Sequence, residues 1–196
     1  MAGEAGERLA LWLLVGVVAA IGVGSFLFHT FATRWALIAD VAPITLFMVG
    51  YLAYALRAFL GLGWLAIGGI LPAFLYAGSL TSSLTCAAAE GAGTPGEPGG
   101  VEPCLNGSLG YLPALVSLLI IGLVADRRGM KAGRLLLVAG GIFIVSMLFR
   151  TIDRDVCGTT SLLGHARGTH ALWHVLNATM LYLLLKAAIE RRSQGQ

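Results

Sequence analysis

Ser25 and His29 stand four residues apart in GVGSFLFHT, and His170 and His174 stand four apart in GTHALWHVLN. On a helix that spacing puts both members of a pair on one face, a turn apart. Two imidazoles so placed can reach one metal ion. His29, from another helix, would complete a three-histidine Zn²⁺ site with its fourth position open to water. Asp40, in RWALIADVAPITLF, is placed close to an apolar run, while the other nine of the ten acidic residues read as loop or tail residues. A carboxylate beside such a site suits general-base work, and a serine hydroxyl suits oxyanion stabilisation. Each residue also has a plainer reading. A helical histidine can hydrogen-bond within a bundle, Ser25 can bond its own backbone, and Asp40 can cap a helix.

The elements that must carry these residues are apolar. Of the 196 residues, 57% are hydrophobic and 12% are charged. A soluble domain of this size carries about 25% charge. Apolar runs fall at about 9–31, 36–56, 62–85, 109–125, 135–149 and 168–188, the fifth being the shortest. A membrane helix needs roughly 20 such residues. The composition therefore predicts an all-α fold, a polytopic bundle of about six transmembrane helices, with residues 1–196 forming one domain. Pro43, Pro72 and Pro113 fall in or near helix starts, where neighbouring helices can satisfy the freed carbonyls. The leading segment MAGEAGER has two Glu and one Arg, unlike the basic start of a signal peptide, so the first run is read as a retained span.

Residues 86–108 are rich in Gly and Pro, hold three Glu and lack Lys and Arg, which reads as a flexible polar loop. With six spans and the N-terminus in the cytoplasm, nine Lys and Arg fall in inside segments. Four (Arg34, Arg150, Arg154 and Arg167) fall outside. The bias predicts cytoplasmic N- and C-termini. The 86–108 loop then faces outward, where Cys86 and Cys104 can form a disulfide or remain two thiols. Cys157 lies on the same side without a partner, and the three cysteines match no zinc-finger spacing. His29, Asp40, His170 and His174 all fall at the outer ends of their helices. His165 reads as a loop residue, Trp35 and Trp173 as interface anchors, and Asn177 as an interhelical hydrogen-bonding group. The net charge of +3, with basic residues set between apolar runs, reads as topology and not as a nucleic-acid surface. Nothing in the sequence fixes the oligomeric state.

The ordered set S-x-x-x-H, an Asp eleven residues later and a late H-x-x-x-H resembles the alkaline ceramidase family. That family belongs to a wider group of seven-helix membrane hydrolases, with adiponectin-receptor-like and haemolysin-III-like proteins. The resemblance implies metal ligands at His29, His170 and His174, a catalytic Asp at Asp40 and a catalytic Ser at Ser25. It further implies Zn²⁺-dependent hydrolysis of the amide bond of ceramide-like membrane lipids. It also implies an acidic, aromatic calcium-binding stretch and a helix ahead of the Ser/His helix. Here that helix starts about nine residues from Met1, so the calcium site is not carried over. Two other functions fit the same residues. One is a receptor-like or pore-forming protein with a structural metal, and the other is a small transporter using Asp40 and the histidines as a relay.

Overall fold

The structure is a computed structural model that describes residues 2–87, 101–157, 161–162, 165–166 and 168–193. Each apolar run forms a helix: α1 (Ala2–Phe31), α2 (Arg34–Ala58), α3 (Trp64–Ser82), α4 (Leu112–Arg127), α5 (Lys131–Cys157) and α6 (His170–Ser193). Among the described residues, six helices are long and apolar enough to cross a membrane. Their outer faces are apolar as well: Leu65 is 95% exposed and Ile38 is 66% exposed. Side chains of that kind, placed outward on every helix, require lipid as the solvent. The chain is therefore an all-α, multi-pass membrane bundle.

Each helix packs on its neighbours in the sequence, and α6 returns to α1 to close the ring. The core is built from Phe47, Leu52 and Ala55 of α2, Leu136 and Ala139 of α5, and Leu184 and Ala187 of α6. Pro43 and Pro72 lie inside α2 and α3. Pro113 lies in the first turn of α4, where a missing N–H leaves no bond unmade.

One end of the bundle is closed by cations and phenols. Arg128 Nη1 donates to the Phe59 carbonyl at 2.9 Å and Arg191 Nε to the Ala58 carbonyl at 2.9 Å. These carbonyls end α2, and the two guanidiniums satisfy them and complement the helix dipole. Tyr51 and Tyr54 donate their hydroxyls to the Leu184 and Ala188 carbonyls at 2.9 and 3.1 Å, tying α2 to α6.

The opposite end carries the histidines. There a 3₁₀ segment, Cys104–Tyr111, leads into α4. Strands β1 (Thr85–Ala87) and β2 (Val101–Pro103) pair antiparallel, and a disulfide joins Cys86 to Cys104. Residues 88–100 of the polar loop lie outside the described residues. β3 (Ser161–Leu162) pairs with β4 (His165–Ala166), so the backbone of His165 is in a short ladder and not in an irregular loop.

Three sequence expectations need correction. The run at 135–149 is not the shortest element, because α5 continues to Cys157 and has 27 residues. Hydropathy sees only the lipid-facing part, and the last turns of α5 present Arg150, Asp153 and Arg154 beyond it. Consequently Asp153 and Asp155 are helical, as is Asp126 in α4, and the acidic residues are not confined to loops and tails. Trp173 is not an interface anchor: it is 6% exposed and faces the interior of the bundle.

α1 and α2 meet at Gly24. A Cβ there would lie 2.0 Å from the Ala39 carbonyl oxygen, immediately before Asp40. Only a hydrogen fits between the two backbones, so Gly24 sets the distance between the helix of His29 and the helix of Asp40. Gly24→Ala is expected to force the hairpin apart at a cost of about 1–3 kcal/mol. Thermal denaturation in detergent micelles checks this, and an unchanged midpoint contradicts it.

Candidate metal centre

Helix geometry delivers the three imidazoles. His29 lies in the last turn of α1, and His170 and His174 occupy the first and second turns of α6. The closure of α6 onto α1 brings them together. His29 Nε2 lies 2.9 Å from His174 Nε2. One ligating nitrogen from each of His29, His170 and His174 lies within 4.8 Å of the others. Nitrogens bound tetrahedrally at 2.0–2.1 Å from Zn²⁺ stand about 3.3 Å apart. The three rings thus converge on a space one cation wide, and the donor set fits a divalent metal. Two imidazole nitrogens at 2.9 Å need either one shared proton or one shared cation between them. Metal-ligating nitrogens are neutral lone-pair donors, so the second arrangement uses all three rings in the same way.

Around the rings lies a shell of supports. His170 Nδ1 faces Asp153 Oδ2 at 3.7 Å, which leaves His170 Nε2 for the metal. Metal-bound histidines commonly set their second nitrogen against a carboxylate. Asp153 Oδ1 is buried with no hydrogen-bond partner. Gly168 permits this placement, since a Cβ there would lie 2.1 Å from Asp153 Oδ1. Thr169 Oγ1 donates to the Phe149 carbonyl at 2.5 Å, pinning the start of α6 to α5. One turn below His174, Asn177 Oδ1 accepts from Ser146 Oγ at 2.9 Å. This α5–α6 bond is the interhelical role expected of Asn177.

A cavity of about 550 Å³ opens beneath the rings, and Ser25, His29, Asp40 and His174 all line it. Its volume is in the range of small-ligand sites. Along α2 it is lined from Asp40 to Ala55, about 22 Å of helix at 1.5 Å per residue. A lipid tail occupies half of a roughly 30 Å hydrocarbon core, so the cavity is deep enough for one chain. Its far wall is apolar, with Leu52, Ile121 and Leu184. Ser25, His29, Asp40 and His174 are gathered at its head, while Tyr51, hydrogen-bonded to the Leu184 carbonyl, lines its depth.

Asp40 is not an N-cap. Thr33 holds that position, and Asp40 lies in the second turn of α2, half-buried. Among the described residues its carboxylate enters no ion pair. Thr30, Thr45 and Thr179 bond the carbonyl four residues back. Ser25 makes no such bond among the described residues, and its hydroxyl remains available to the cavity it lines.

Sequence reasoning missed Arg150, Asp153 and Gly168. The signal was present in FRTIDRD, where Arg150 and Asp153 continue the helical register of the preceding apolar run. It was hidden by ending the helix where hydropathy falls. Compared with protein-family models, curated proteins and solved structures, the chain matches none.

Purified protein is expected to carry about one equivalent of divalent metal, and His174→Ala to lose it. Asp153→Asn should weaken metal affinity about 10–100-fold. Elemental analysis and competition with a chromophoric chelator measure both, and an unaltered affinity in Asp153→Asn would remove that carboxylate from the site.

Proposed function

We propose that the protein is a Zn²⁺-dependent lipid amidase of the membrane interior, hydrolysing N-acyl lipids of ceramide type to a fatty acid and a long-chain amine. The observation that carries this reading is a three-imidazole group, two of whose members, His29 and His174, line a tail-deep apolar cavity together with Ser25 and Asp40. Its residue pattern also resembles that of the alkaline ceramidase family. Among the described residues the ligand group contains three histidines and no fourth protein ligand. A coordination position left to water or substrate distinguishes catalytic from structural zinc, which favours the enzyme over a receptor or pore with a structural metal.

The chemistry a bound Zn²⁺ supplies is polarisation of the carbonyl and a lowered pKa of water. The chain's own residues do the rest. The cavity takes the acyl chain, which leaves the amide at its polar head. Asp40, in no ion pair among the described residues, accepts a proton from the attacking water and returns it to the leaving amine. The Ser25 hydroxyl donates to the oxygen on which charge develops. His29, His170 and His174 stay neutral, with Asp153 holding the ring of His170.

The basic end of the bundle gathers Arg57, Arg128, Lys131, Arg191 and Arg192, a distribution that favours the cytoplasm. The centre then lies toward the outer face, on the side of the Cys86–Cys104 disulfide.

Ser25→Ala is expected to lower kcat about 10²–10³-fold and Asp40→Asn about 10²–10⁴-fold, with insertion into membranes unchanged. Hydrolysis assays on a panel of N-acyl lipids, with and without chelator, test this. Full turnover by Asp40→Asn, or by chelated protein, would overturn the mechanism.

A further inference from the structure

The arginines in this bundle mostly have partners or face outward. Arg154 pairs with Glu102 at 2.6 Å and Arg134 with Asp126 at 3.6 Å. Arg57, Arg128 and Arg191 donate to backbone carbonyls. Arg150 differs. It lies in α5 just past the apolar run, half-buried, and its Nε is buried with no hydrogen-bond partner. Its guanidinium lies over two rings, 4.9 Å from Trp173 and 5.6 Å from Tyr111. Asp153, one turn along the same helix, is the obvious counter-ion, yet it faces His170 instead.

A half-buried guanidinium with no ion pair among the described residues and a buried Nε left unmet is costly. Stacking on two aromatic faces offsets part of that cost but satisfies none of the N–H donors. The two rings are also walls of the cavity: Tyr111 and Trp173 both line it. The indole of Trp173 also touches the site, with its ring 5.2 Å from His170 and 4.6 Å from His174. Arg150 and the metal ligands thus contact one and the same side chain.

The surroundings hold Arg150 in place. Its carbonyl accepts from Asn106 Nδ2 at 2.8 Å. At Gly107 a Cβ would come within 3.8 Å of Arg150 Nη2. Leu105, Asn106 and Gly107 run in left-handed conformation, with φ of 53°, 54° and 74°. This turn directly follows Cys104 of the disulfide.

We propose that Arg150 is the recognition site for a carboxylate on the leaving-amine side of the substrate, so that the preferred lipids are N-acyl amino acids. This assignment rests on the amidase reading above. The acyl chain fills the cavity and the amide lies at the histidines. Arg150 stands outside the cavity lining, against the Tyr111 and Trp173 walls, so the carboxylate has to pass the edge of Trp173 to meet the guanidinium fork. That fork matches two carboxylate oxygens at once. A single negative charge suits the place, since a dianionic phosphate would set two charges against one guanidinium, with the Asp153 carboxylate one turn along the same helix.

The test is binding by titration calorimetry in detergent micelles, with N-oleoylglycine, its methyl ester and the phosphate ester of N-oleoylethanolamine as probes. Metal-loaded wild-type protein is expected to bind N-oleoylglycine at least about tenfold more tightly than the methyl ester. Arg150→Gln should bring the two to parity, and Arg150→Lys should keep part of the preference. Equal affinities in the wild type overturn the proposal without reference to any variant. A preference that survives in Arg150→Gln also overturns it, because the carboxylate then goes to the metal. Tighter binding of the phosphate ester than of N-oleoylglycine overturns the assignment to a carboxylate. Hydrolysis of the same probes separates the two readings. If the binding preference is intact and no N-acyl lipid is cleaved, the amidase fails and the carboxylate site stands. If neutral amides are cleaved and charged and neutral probes bind alike, the reverse holds.

Discussion

The contact between His29 and His174 joins the first helix to the last. In lipid, neighbouring hydrocarbon gives helices no hydrophobic reason to associate, so ring closure depends on packing and on polar contacts. Two imidazole nitrogens at 2.9 Å form one such contact. At the other end of the bundle, Tyr51 and Tyr54 bond α6 to α2. α6 is thus held at both ends, by phenols on one side and by histidines on the other. A metal at the histidine end would bind only the closed arrangement, and its binding energy would add to the stability of the fold.

Much of this was legible in the sequence, for a physical reason. Membrane helices must satisfy their backbone internally, so an apolar run of sufficient length leaves few alternatives. The pairs Ser25/His29 and His170/His174 could be placed on shared faces from their spacing alone, and the ends of their helices followed from counting spans. The meeting of the three histidines was a geometric expectation, and their nitrogens do lie within 4.8 Å of one another. The supporting shell was not legible. Arg150 and Asp153 lie where α5 leaves the apolar run, and hydropathy cannot distinguish a helix that continues into a polar site from one that stops. Gly168 carries no signal at all without knowledge of the carboxylate pressed against it. Trp173 was misread for a related reason. A tryptophan near a helix end has the same sequence signature whether it faces lipid or the interior.

Polar chemistry and apolar packing are divided along the cavity. Asp40, Ser25, His29 and His174 lie at its head, while Leu52, Ile121 and Leu184 line its depth. That division sets the polar side chains Ser25 and Asp40 at the histidine end of the cavity and leaves its depth mainly to hydrocarbon. Gly24 belongs to the same logic, because the backbone approach of α1 to α2 at Ala39 is what brings the helices of His29 and Asp40 to a common wall.

The placement of the ligands at opposite ends of the chain has a consequence for biosynthesis. His29 enters the membrane with the first helix, and His170 and His174 arrive only with the last. A nascent chain with five helices holds a single imidazole and has little grip on any cation. The ribosome must deliver α6 before the three imidazoles can meet, so a metal could be held by all three only after that helix is made. A product cut short before α6 would lack two of the three histidines and would leave α1 and α5 without the helix that packs on both, a lesion that quality control in the membrane could recognise.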